Sequence, residues 1–283
     1  MSGTKNGRIE ARFEKLKQEK RAALVTFISA GDPDYGNSLE ILKALPDAGA
    51  DIVELGMPFT DPMADGPAIQ AAGLRALNAG QTMKKTLAMA GEFRKGNSDT
   101  PLILMGYFNP IHSYGLEKFV VDASEAGVDG LIIVDLPPEE NAELCALADA
   151  QNIRIIHLAT PTTDDKRLPK ILERAGGFLY YVSITGVTGA AAPDLGKVEK
   201  HVSWLREQAE IPICVGFGIR RPEQAAAFGR IAEGVVVGSA IVDLISQGID
   251  ESGKFSSSQI SKITGLVSDL ARGIASAQKT LVE

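Results

Sequence analysis

The chain has 283 residues, 45% of them hydrophobic and 23% charged, an ordinary globular balance with room for one barrel-sized domain or two smaller ones. Its formal net charge of −7, with no Lys/Arg block, argues against a nucleic-acid or anionic-membrane surface, because both need a basic footprint. No apolar run approaches the ~20 residues of a membrane span, and the charged opening MSGTKNGRIEARFEKLKQEKR has no signal-peptide core, so a cytoplasmic location is expected.

A helical segment is expected over 8–20, ahead of the first strand. Eight short β-rich runs then recur: LVTFI (24–28), DIVEL (51–55), LILMGY (102–107), GLIIVD (130–135), RIIHLA (154–159), FLYYVS (178–183), IPICVGF (211–217) and GVVVGS (234–239). They are apolar throughout, as parallel strands covered on both faces require. Amphipathic segments separate them, for example 38–49, 138–151 and 221–234, and a last helical segment is expected over 256–281. Eight such units in 283 residues predict an α/β fold of the (β/α)8 TIM-barrel type with extra N-terminal and loop helices. No GxGxxG follows strand one, which speaks against a doubly wound sheet. No linker is visible, so residues 1–283 read as a single domain with a core over about 20–250.

The step from strand two to strand three takes about 50 residues, far more than the others, and contains ELGMPFTDPMADGP (54–67) and an extra helix. Long loops in compact domains are usually functional, and in this fold the active site sits at the C-terminal strand ends, from which this loop departs. Parity places Ile52 and Glu54 on one face of strand two and Val53 and Leu55 on the other. A carboxyl inside the barrel mouth loses solvation, which raises its pKa toward the range of general acid/base work. Asp61 and Asp65 share the loop with Pro58, Pro62 and Pro67, whose fixed φ makes its geometry reproducible. The bland alternatives are an ion-paired strand-end Glu and turn-forming aspartates.

Glycines cluster after strands six, seven and eight, in GVTG (186–189), GFGI (216–219) and VVVGSAIV (235–242), the last opening a helix. Glycine lets backbone N–H groups approach an anion, and a helix N-terminus favours phosphate. A phosphate site is therefore expected there. His112, in a predicted loop, His157, in strand five, and His201, among helical polar residues, have no ligand spacing, so no metal is expected. Cys145 and Cys214 read as buried thiols. Two acids without a metal or an evident nucleophile suit proton transfer. On these residues alone, a phosphosugar-isomerase type of barrel and a catalytically silent barrel remain open.

ELGMPFTDPMADGP, YYVSITGVTGA, GFGI and GSAIV, in this order, resemble the tryptophan synthase α-subunit family over about residues 8–281. The resemblance implies retro-aldol cleavage of indole-3-glycerol phosphate to indole and glyceraldehyde 3-phosphate, with no cofactor in this subunit. It implies a β-subunit partner in an α2β2 heterotetramer, the partner holding pyridoxal phosphate and taking the indole for tryptophan synthesis. A stand-alone indole-releasing lyase would share the same motifs. Carried over by motif, Glu54 is the general acid/base and Asp65 binds the indole N–H. Phe27, Met105, Tyr107, Tyr180 and Phe217 contact the substrate, while Gly189, Gly218, Gly238 and Ser239 surround the phosphate end. Thr188 lies on a loop closing near Asp65. Asp61, at the segment the resemblance places against the partner, is expected to couple partner binding to closure.

Overall fold

The computed structural model describes residues 7–183, 194–216 and 218–277. Its nine parallel strands are β1 (Ala23–Ser29), β2 (Ile52–Gly56), β3 (Leu102–Gly106), β4 (Gly130–Ile133), β5 (Arg154–Ile155), β6 (Leu158–Ala159), β7 (Leu179–Val182), β8 (Ile213–Gly216) and β9 (Gly234–Val237). Their order, β5-β4-β3-β2-β1-β9-β8-β7-β6, puts the two ends of the sheet on neighbouring residues of the chain. Ile156 N–H donates to the Leu131 carbonyl at 2.9 Å, and Tyr180 N–H donates to the His157 carbonyl at 3.0 Å. The sheet thereby closes into a (β/α)8 barrel.

The expected fifth strand, 154–159, is thus two short pieces rather than one. The break falls at His157, whose side chain is tied outward into the helix layer. Its Nδ1–H donates to the Ile171 carbonyl at 2.6 Å, and its Nε2 accepts from Asn141 Nδ2 at 2.7 Å. Burial lowers the pKa of this ring, in keeping with the neutral form. Helix bounds also differ from the sequence reading. The segments predicted over 8–20, 38–49, 138–151, 221–234 and 256–281 are Arg8–Gln18, Tyr35–Ala44, Ala142–Ala150, Pro222–Ile231 and Ser258–Ser276. The second starts early because Asp34 caps it, accepting Asn37 N–H at 3.0 Å. His112, predicted in a loop, lies on the short helix Phe108–Tyr114.

Side chains alternate along the strands as parity requires. Val25, Ile52, Ile103, Ile132, Ile156, Tyr180, Cys214 and Val236 fill the barrel, while Leu24, Val53, Leu55, Leu104, Leu131, Tyr181 and Val235 pack outward against the helices. Cys145 and Cys214 are both buried and neither is in a disulfide. Helix Arg8–Gln18 plugs the N-terminal end with Ile9, Phe13 and Leu16, and the Phe13 ring meets Phe178 edge-on at 6.0 Å. Around the plug, buried aspartates are neutralised by arginines. Asp51 receives both Arg21 terminal nitrogens and Leu24 N–H, and Asp129 receives Arg8, Arg94 and Leu102 N–H. Among the described residues, these arginines hold the aspartates of the N-terminal end, whereas no salt bridge joins a cation to Glu54 or Asp65.

Between β2 and β3 the chain inserts the acidic loop, then helices Pro67–Asn78 and Met83–Arg94. Pro67 starts the first of these at the position where a missing N–H costs nothing. Arg75, one turn from its end, forms a two-pronged pair with the buried Asp32 after β1, at 2.7 and 2.9 Å. A buried carboxylate left without its arginine would be strongly destabilising, so the pair fixes this helix to the barrel wall.

Candidate active site

The C-terminal strand ends are lined by glycine: Gly56, Gly106 and Gly216 end β2, β3 and β8, and Gly238 follows β9. The space they leave is filled by neighbouring rings and side chains. A Cβ on Gly56 would lie 2.7 Å from the Phe27 ring, and one on Gly238 would lie 3.3 Å from Phe27 Cβ. Phe27 can therefore lean across the mouth, where it packs with Ala72, Val242, Ile69 and Met105. A Cβ on Gly216 would lie 2.3 Å from the Tyr180 hydroxyl, so that glycine is the slot for the tyrosine. The sequence reading took Gly216 only as part of a phosphate motif. Four strand runs ending in glycine were the signal for this ring-accommodating role.

Glu54 pairs with Phe27 and Ile103 across the sheet and is 1% exposed, on the inward face beside Ile52. Its Oε1 has no hydrogen-bond partner among the described residues, and burial alone pushes its pKa up to about 8. Burial, with smaller contributions from Glu54 and Cys214, raises the pKa of the Tyr180 hydroxyl well above the usual phenol value. A neutral carboxylic acid at pH 7 with an unused oxygen, at the top of a barrel, is a proton donor in waiting.

Asp65 is half-buried on the loop, and burial raises its pKa to about 6, opposed only by the Tyr107 hydroxyl. Tyr107, immediately after β3, is 2% exposed, and its hydroxyl also accepts Ala64 N–H at 3.0 Å. Within the loop, Asp65 N–H reaches the Pro62 carbonyl at 3.0 Å, and Gln70 Nε2 donates to the Asp65 carbonyl at 2.8 Å. The loop is thus folded back over the strand ends. It roofs a small hollow of about 20 Å³ whose walls include Phe27, Met57, Phe59, Asp65, Met105, Tyr107 and Val134. Val134 also borders a larger hollow of about 390 Å³, reaching to His157 and Leu158 at the divided fifth strand.

Asp61 is exposed and accepts the Thr60 hydroxyl, and the neighbouring Met63 is 83% exposed. These two form the outer tip of the loop. One strand removed from β2 in the sheet order, Gly238 precedes helix Ser239–Gln247, whose first turn carries no acidic residue. Gly218 has φ +70, which favours glycine, and open space where a Cβ would project. Arg220 lies beside this helix, bonded to Asp243 at 2.6 Å. The structure therefore gathers Phe27, Glu54, Asp65, Met105, Tyr107, Tyr180, Gly218, Gly238 and Ser239 at one end of the barrel. Thr188, Gly189 and Phe217 lie outside the described residues. Sequence reasoning did not single out Phe59, a wall inside the 54–67 motif that carries no chemistry of its own, or Gln70, a loop anchor on the helix after it.

Known proteins share this fold. A sequence profile of the family described as tryptophan synthase alpha chain matches residues 13–270. The tryptophan synthase subunit alpha structure from Legionella pneumophila str. Paris is 37% identical, with 96% of this chain and 99% of that chain covered at a TM-score of 0.87. A structure from Aquifex aeolicus VF5 is 39% identical, covering 95% and 99% at a TM-score of 0.86. A Mycobacterium tuberculosis tryptophan synthase structure is 32% identical, covering 96% and 99% at a TM-score of 0.86.

Proposed function

From the premise that this chain belongs to the tryptophan synthase alpha chain family, we propose which of its residues carry out the family's lyase reaction and how. The chain cleaves indole-3-glycerol phosphate to indole and glyceraldehyde 3-phosphate, the alpha reaction of tryptophan synthase, with a beta subunit as its partner. Glu54, neutral below about pH 8, gives its proton to the indole ring at C3. The ring becomes an indolenine cation, and the Asp65 carboxylate, ionised above about pH 6, accepts the ring N–H and offsets the charge. The Glu54 carboxylate then takes the proton of the glycerol hydroxyl. As the carbonyl of glyceraldehyde phosphate forms, the carbon–carbon bond breaks and its electron pair returns to the ring. Glu54 ends protonated, ready for the next turnover.

Phe27, Met105, Tyr107 and Tyr180 hold the indole. Gly218, Gly238 and Ser239 offer backbone N–H groups and a helix N-terminus to the phosphate, and the family resemblance assigns Gly189 to that end, Phe217 to substrate binding and Thr188 to loop closure. The exposed Asp61 faces the partner. The complex is an α2β2 heterotetramer in the cytoplasm, with pyridoxal phosphate held by the beta subunit alone. One barrel domain, with its core over about 20–250, carries all of this subunit's chemistry.

The observation that carries this reading is the pair of acids, Glu54 and Asp65, raised by burial to about 8 and about 6, with no cation among the described residues holding either charged form. Indole release from indole-3-glycerol phosphate, measured with and without a beta subunit, tests it. Activity should follow a bell in pH with limbs near those two values. Turnover that is flat across the bell, or that survives in Glu54→Gln, would overturn the assignment.

A further inference from the structure

We propose that Tyr107 is the positioning residue of this site: its hydroxyl pins the acidic loop at Ala64 and thereby sets where the neighbouring Asp65 carboxylate stands. The inference rests on the catalytic reading of Asp65 and adds what that reading lacks, the group that makes a buried aspartate usable. As a wall of the indole pocket, Tyr107 would need only its ring. The hydroxyl makes the two contacts that a wall does not require, to Ala64 N–H at 3.0 Å and to the Asp65 side chain. The ring itself leans on Phe59 at 5.4 Å and 37°, so the tyrosine touches the acidic loop at 59, 64 and 65.

The mounting is rigid. Tyr107 directly follows β3, is 2% exposed, and precedes the helix Phe108–Tyr114, whose first N–H is held by Asp135 at 2.8 Å. The loop closes on this fixed point.

The electrostatics have few participants. Glu54 on β2 is neutral at pH 7, and Asp61 on the same loop accepts the Thr60 hydroxyl. Asp135 after β4 is turned to Phe108 N–H, and Arg75 on helix Pro67–Asn78 is committed to Asp32. Asp65 is the charged neighbour that Tyr107 feels, and the Tyr107 hydroxyl is the group that favours the charged Asp65 against its burial. Deleting the hydroxyl should therefore leave Asp65 protonated over more of the pH range, where it can no longer balance a cation on the indole ring.

The test compares Tyr107→Phe, Asp65→Asn and the parent chain, each saturated with beta subunit, by kcat and KM for indole release from about pH 5 to pH 9. Tyr107→Phe should move the acid limb of kcat upward by about one pH unit, a loss of roughly fivefold at pH 6 that largely recovers by pH 8, with KM changed less than about threefold. Replacing Tyr107 by 3,5-difluorotyrosine, a stronger donor, should move the same limb downward. Asp65→Asn should be inactive throughout. If Asp65→Asn keeps its activity, the reading of Asp65 fails first. If Asp65→Asn is inactive, a Tyr107→Phe profile that drops uniformly with pH, or changes only in KM, overturns the role given to Tyr107. The difluorotyrosine enzyme decides the question even where Tyr107→Phe folds poorly.

Discussion

Replacing Glu54 by Gln separates the cost of burying an acid from its use. The folded chain holds the Glu54 proton up to about pH 8, whereas the unfolded chain releases it near the ordinary value of 4.5. A raised carboxyl pKa contributes stability that is complete below the unfolded pKa and lost as pH rises through the folded one. At ~1.4 kcal/mol per unit, the shift corresponds to about 5 kcal/mol between pH 4 and pH 9, of which about 3 is already lost at pH 7. Side-chain screening takes little off this figure, since Glu54 is 1% exposed and unpaired at Oε1. Gln carries no titrating proton. The difference in urea unfolding free energy between variant and parent should therefore climb in favour of Gln by about 3 kcal/mol from pH 4 to pH 7, whatever constant offset the amide adds. In the same protein, indole release should fall by roughly 10²-fold or more, because Gln cannot exchange the proton. The assay is paired: urea midpoints at several pH values, and turnover at pH 7. A stability difference that stays flat over this range would refute the buried neutral acid, even if activity were lost.

Gly216→Ala should push the Tyr180 hydroxyl out of its slot, raising KM and costing about 1–3 kcal/mol in the urea midpoint analysis; unchanged KM would mean Tyr180 does not touch substrate. Gly218→Ala should weaken binding of glycerol phosphate more than of indole. The loss would come from backbone strain of about 1–2 kcal/mol at φ +70, because the space around it is open; calorimetry showing equal losses would move the phosphate elsewhere. Asp61→Ala should leave the isolated chain's activity nearly intact and reduce the activation given by the beta subunit. A variant already inactive without the partner would place Asp61 in the chemistry.

Much of the fold could be read because strand periodicity is local. Apolar runs fixed the strands to within a few residues, and parity alone put Glu54 inside beside Ile52. The division of strand five was hidden, because RIIHLA is apolar enough to read as continuous. What breaks it is a set of contacts from His157 to Asn141 and Ile171, one sixteen and the other fourteen residues away. The site was legible in the same uneven way. Motifs located the acids, but their perturbation depends on what is absent nearby. The arginines that neutralise Asp51 and Asp129 at the opposite end show that an aspartate's sequence does not disclose its company. Tyr107's hydroxyl reaches back 43 residues to Ala64, and no spacing rule announces that.

The divided fifth strand makes the barrel mechanically lopsided. β5 pairs with β4 over two residues and β6 with β7 over two, whereas β1, diametrically opposite in the strand order, pairs with β2 over five and with β9 over four. Local opening follows the thinnest bonding, so amides over 154–159 should exchange with solvent before those of β1 and β2. The compliant stave borders the larger hollow, while the stiff ones carry Phe27 and Glu54. Breathing of the barrel is thereby steered away from the proton-transfer wall: the mouth can widen on one flank to admit or release a bulky molecule while the acid on the other stays in register.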